Sequence, residues 1–131
     1  MPDTGQAQWG QAVVITNDAS HEDKEGYAVK YSSQEATLVG SDTELDVFGV
    51  IQSGAAADKD DTIVPVFGGP TCKVKLAGTP GTVNAGTHLG THTDGSFKAT
   101  ASSKNACAIA LESGAGDELI DAVLYKAVTT S

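Results

Sequence analysis

A chain of 131 residues is the size of one domain, and 8 Lys or Arg against 17 Asp or Glu leave a net charge of −9, which repels phosphate backbones and anionic bilayers and argues against nucleic acid or membrane as a partner. Fifteen glycines, many Thr, Ser, Ala and Val, and only 5% aromatic residues exclude a helical bundle and describe short strands, tight turns and a thin core. With no basic leader and no apolar run long enough to span a bilayer, the sequence predicts a soluble protein made in a cytoplasm.

The first segment, residues 1–25, holds the single tryptophan, Trp9, ahead of the apolar run 12–15 and a polar stretch 17–25. Trp9 beside Val13, Val14 and Ile15 is a poor composition for a freely solvated tail, so this arm is expected to dock. It either adds a strand to its own domain or contacts a neighbour, with Trp9, Val13 and Ile15 as anchors.

From Gly26 the pattern becomes β. Tyr27, Val29 and Tyr31 alternate with Ala28 and Lys30, and after a polar turn at 32–35 the run 36–39 completes a hairpin. A polar link leads to a strand over 47–52 that ends in Ser53-Gly54-Ala55; residues 55–61 then form either one helical turn or a plain loop. The run 62–67 is apolar but contains Pro65, which places it at a sheet edge or beside a bulge.

Residues 71–76 alternate cleanly, with Lys73 and Lys75 toward water and Cys72, Val74 and Leu76 inward. Residues 87–91 read as a strand, Asp94-Gly95 as a tight turn and 97–99 as its return. Strands come next over 106–111, where Cys107 alternates with Ile109 and Leu111, and over 119–127. One disulfide between Cys72 and Cys107 is possible, but two buried thiols fit their phase better.

Ser-Gly-Ala recurs at Ser113, Gly114 and Ala115, sixty residues after Ser53, Gly54 and Ala55. Aligning 26–67 with 86–127 at that offset gives five identities, the others being Gly26 with Gly86 and Asp61 with Asp121, and matches apolar pairs such as Val29 with Leu89 and Ile63 with Val123. This predicts a duplicated β domain over 26–131, a small barrel or sandwich of two related units, in which Ser53, Gly54, Ser113 and Gly114 are turn residues.

Candidate chemistry is sparse. His88 and His92 with Asp94 suggest a metal site, but on a strand the two histidines stand roughly 13 Å apart, so surface histidines near a hairpin are the better account. An EF-hand loop starting at Asp58 needs Gly and Glu where Ile63 and Gly69 stand; Asp58, Asp60 and Asp61 read instead as a solvated acidic loop. No nucleophile elbow, phosphate loop, Cys-x-x-Cys or His-Glu-x-x-His occurs. The residues point to no catalytic, metal or cofactor site and to a non-enzymatic protein.

The order of these elements carries a family resemblance. Gly26 with its hairpin, Phe48-Gly49-Val50-Ile51, Ser-Gly-Ala and the strand 63–67 are succeeded by Val74, the turn 82–87, Asp94-Gly95, Ala108-Ile109-Ala110-Leu111-Glu112 and Ala122-Val123-Leu124-Tyr125. Over residues 26–127 this resembles the capsid cement, or head decoration, proteins of tailed bacteriophages. The resemblance implies a β-rich homotrimer on the outer surface of the virion, binding the major capsid protein after the shell expands and stabilising it. A surface adhesin for a glycan or host receptor would also be β-rich, acidic and free of catalytic motifs. A small metal-dependent hydrolase built on His88, His92 and Asp94 is a third reading.

Overall fold

The computed structural model describes residues 12–41, 44–78, 82–100 and 106–126. Among them are ten strands and no helix, in two five-stranded antiparallel sheets. The first sheet contains β1 (Val13–Thr16), β2 (Ala28–Ser32), β3 (Glu35–Leu38), β4 (Gly49–Ser53) and β5 (Asp60–Pro65), in the order β1-β5-β4-β2-β3. The second contains β6 (Thr71–Lys75), β7 (His88–Thr91), β8 (Phe97–Ala99), β9 (Ala108–Ala110) and β10 (Leu119–Leu124), in the order β6-β10-β9-β7-β8.

Both orders describe one unit used twice. In each sheet the two edge strands also touch through a single parallel bridge, Asn17 to Ala36 in the first and Leu76 to Phe97 in the second, so each sheet rolls toward closure. The ladders match as well: Ala28 faces Val50 and Val29 faces Gly49, as His88 faces Ile109 and Leu89 faces Ala108. Backbone conformation repeats with the ladders, because Gly26 and Gly86 have φ of 87° and 90°, and Asp58 and Asp117 have φ of 65° and 69°.

These pairs correct the alignment on Ser-Gly-Ala. The offset is sixty residues along β2, sixty-one along β3 and fifty-nine from β4 onward, where Asp58 corresponds to Asp117 and Ile51 to Ala110. The hairpin turn is one residue longer in the second copy and the link after it two residues shorter, so Ser53 and Ser113 are identical in sequence yet one position out of register.

A single large core joins the units. It includes Ala28, Val50 and Val64 of the first sheet together with Cys72, Val74, Leu89, Phe97, Ala110, Ala122 and Leu124 of the second. Each of the larger aliphatic side chains contributes roughly 1.5–3 kcal/mol on burial, so the first unit's back and the second unit's interior stabilise one another. Val29, Ala36, Ile51 and Ile63 form a separate cluster inside the first roll, with Ile15, Leu38 and Phe48 packed on it. Non-equivalent faces therefore meet: Ala28, Val50 and Val64 are covered by the second unit, whereas their counterparts His88, Ile109 and Val123 are half-buried on its outside. The units stack in sequence rather than facing each other as mirror partners.

Three local expectations change. β5 is an interior strand and not an edge, though it does lie beside a bulge, between Ile51 and Ser53 of β4; Pro65 is tolerated because it is the last residue of the strand and lies past the reach of β1, whose pairing begins at Val13 with Ile63. Residues 55–61 form no helical turn; Lys59 N donates to Ala56 O in a tight turn instead. In β9 the inward side chains are Ala108 and Ala110, opposite Leu124 and Ala122, whereas Ile109 is half-buried and Leu111 is exposed. The interior of the second roll accommodates only small side chains there. Cys72 and Cys107 are both free and buried, and burial pushes each thiol up to about 12.

Candidate interaction surface

The residues that precede Gly26 are built into the first unit as far back as Val13. β1 pairs along β5, and a buried polar network ties residues 17–21 to the Ser-Gly-Ala corner. Asp61 is fully buried; its Oδ1 accepts from Ala55 N (2.9 Å) and Asn17 Nδ2 (3.0 Å), and its Oδ2 lies 2.5 Å from His21 Nδ1. Asn17 Nδ2 also donates to Ala55 O and Ala56 O, and its Oδ1 accepts from Asp58 N. Asp61 is thus no member of a solvated acidic loop. Converging hydrogen bonds satisfy both of its oxygens, as burial of a polar group at such depth requires.

Of the proposed anchors, Trp9 lies outside the described residues. Val13 and Ile15 stand on one side of β1: Val13 is at the surface and Ile15 packs on the first roll's internal cluster. The most exposed residue of the strand is Val14, at 63%. Its counterpart is Lys73, since Val14 pairs with Thr62 as Lys73 pairs with Asp121. Lys73 Nζ sits 3.1 Å from Asp121 and 3.6 Å from Glu112. A charged edge of that kind discourages strand addition, and β1 has none.

A second exposed apolar feature has no local signature in the sequence. Tyr31 on β2, Phe48 just before β4 and Phe67 just after β5 gather at one end of the first unit, with ring centroids 5.4 Å apart for Tyr31 and Phe48 and 6.3 Å for Phe48 and Phe67. Phe48 roots the group in the internal cluster; Tyr31 and Phe67 are 52% and 56% exposed. Asp46 is exposed two residues before Phe48. The signal that could have found it is asymmetry between the repeats, because the second copy places no aromatic residue at the corresponding positions.

The remaining candidates have structural partners. Ser53 ends β4 at the surface, and Gly54 comes next, where a methyl group would overlap the carbonyl oxygen of His21. Ser113 Oγ accepts from Ala85 N at 3.2 Å, and Gly114 exchanges backbone hydrogen bonds with Val83. His88 Nδ1 lies 3.0 Å from the hydroxyl of Tyr125, and His92 Nδ1 lies 3.3 Å from Asp94. Among the described residues, no three His, Cys, Asp or Glu side chains group as metal ligands would.

No protein-family model and no curated protein matches the sequence. Among solved structures, the chain is similar to the N base of the head fiber gp8.5 in bacteriophage phi29, with a TM-score of 0.66 at 16% identity, covering 92% of this chain and 98% of that one. The likeness is one of fold, and it extends over nearly the whole of both chains.

Proposed function

We propose that this protein is a non-enzymatic structural component of a phage virion that binds the outer surface of the expanded capsid as a homotrimer and stabilises it. The observation that carries this reading is the shared fold with the base of a phage head fiber across almost the full length of both chains. The order of elements that resembles head decoration proteins supports it independently. So does the chemistry of the surface: an acidic exterior with an aromatic group at one end of the first unit suits recognition of another protein.

The proposed mechanism is mass action. A module that binds the expanded lattice and not the unexpanded one stabilises the expanded form by its differential affinity, about 2.7 kcal/mol per site at a free concentration one hundred times Kd. The shell is held by many such sites at once, so a modest energy at each suffices.

The test is co-sedimentation of the purified protein with undecorated expanded heads and with unexpanded heads, alongside its mass by light scattering. Binding to expanded heads alone, by a trimer, is the expected outcome. Binding to host cells and not to heads would replace this reading with that of an adhesin.

A further inference from the structure

We propose that the Tyr31–Phe48–Phe67 end of the first unit is a docking site for a segment of a partner protein that presents an apolar side chain flanked by Lys or Arg. The proposal rests on the capsid-binding reading above and names the surface and the chemistry of its partner.

The duplication itself supplies the reason. Phe48 N donates to Val29 O as Cys107 N donates to Leu89 O, and Val66 N donates to Phe48 O as Tyr125 N donates to Cys107 O. Tyr31 pairs with Ala36 as Thr91 pairs with Phe97. The counterparts of Tyr31, Phe48 and Phe67 are therefore Thr91, Cys107 and Lys126.

In the second unit this end is capped by the polypeptide itself. Thr91 Oγ1 donates to Ser41 O (3.0 Å) and accepts from Glu44 N (2.8 Å), while Lys126 Nζ donates to Leu45 O (3.3 Å). The link after the first hairpin lies across the second unit's end, and Thr91 and Cys107 are fully buried beneath it. The first unit has the same end in the same geometry. There the capping positions hold three aromatic rings, two of them more than half exposed, and no described segment covers them.

Charge selects the occupant. Asp46, exposed two residues before Phe48, belongs to a chain of net charge −9 that contains no arginine, so a second copy would bring like charge to the contact. Nucleic acid and anionic lipid are disfavoured for the same reason. A cationic side chain would instead gain from Asp46 and from the exposed rings of Tyr31 and Phe67, while an apolar one packs on those rings.

The probe is undecorated expanded heads, offered to wild type, to the double variant Tyr31→Ser with Phe67→Ser, and to Asp46→Lys. Both aromatic side chains are largely exposed, so the double variant keeps its fold, checked by circular dichroism. Wild type is expected to bind, the double variant at least about thirtyfold more weakly, and Asp46→Lys with a shallower salt dependence. Amide exchange on head-bound protein is expected to slow at Phe48 and Phe67. Wild-type binding that the double variant reproduces within about twofold, with no such protection, overturns this proposal and leaves the capsid reading intact. Failure of wild type to bind any head overturns both.

Discussion

Asp61 and His21 meet across the first corner with Oδ2 and Nδ1 2.5 Å apart and both side chains buried. The contact joins the start of β5 to the segment after β1, and Asn17 and the Ala55 amide complete it. Replacing Asp61 by Ala removes the partner of the buried His21 Nδ1 and the acceptor of Ala55 N, and takes one of three acceptors from Asn17 Nδ2. The expected cost is about 3–5 kcal/mol in chemical denaturation. Removing His21 and Asp61 together is expected to cost clearly less than the sum of the single changes, because the second removal deletes a group that the first had already stranded.

Gly26 and Gly86 are counterparts with nearly equal positive φ but unequal surroundings. A Cβ at Gly86 meets nothing within 4 Å, whereas one at Gly26 lies 2.6 Å from Lys75 N and 2.5 Å from a Leu119 methyl, where Lys75 N donates to Gly26 O between the units. Gly86→Ala is expected to cost about 1 kcal/mol, from backbone strain alone. Gly26→Ala is expected to cost at least about 2 kcal/mol more, from overlap with backbone that cannot yield. Thermal unfolding of the two variants separates conformational strain from close packing at the joint.

The buried thiols set an alkaline limit. Cys72 and Cys107 are held up to about 12 by burial, above an unfolded value near 8.5. Below that unfolded value both states are protonated and the difference has no effect. As pH rises past it the unfolded chain loses protons that the native state keeps, so stability falls, by about 1–2 kcal/mol per thiol near pH 10. Urea midpoints measured from pH 7 to 10 check the slope. At pH 7.5 both thiols are expected to resist a soluble disulfide reagent until the protein is denatured.

Val14 stands where the second unit has Lys73. Val14→Lys is expected to leave stability within about 0.5 kcal/mol and to reduce any salt-dependent self-association, because it gives β1 the charged edge that β6 already has. Analytical ultracentrifugation at high and low salt reads the change.

Periodicity made most of the strands legible. Alternation in 71–76, the Asp94-Gly95 turn and the apolar run after Ser-Gly-Ala arise from local chemistry, which is why they fall on β6, the turn before β8, and β5. The duplication was legible too, but not its register, since a longer hairpin turn and a shorter link in the second copy nearly cancel and leave five identities to anchor the alignment. The phase of β9 was lost for a related reason: Ile109 and Leu111 are larger and more apolar than Ala108 and Ala110, yet space inside the second roll, and not hydrophobicity, decides which side faces in. Asp61 carries no local mark of burial, because its partners are Asn17 and His21, forty residues or more away along the chain. The aromatic end of the first unit is assembled from three separate strands or their flanks and exists only once β2, β4 and β5 are side by side.

The most direct measurement is a cryo-microscopy map of expanded heads mixed with the purified protein. The predicted result is threefold density on the outside of the shell, with Tyr31, Phe48 and Phe67 turned toward a capsid surface that offers Lys or Arg side chains. Heads that remain bare, or density in which the aromatic end points to solvent, would contradict it.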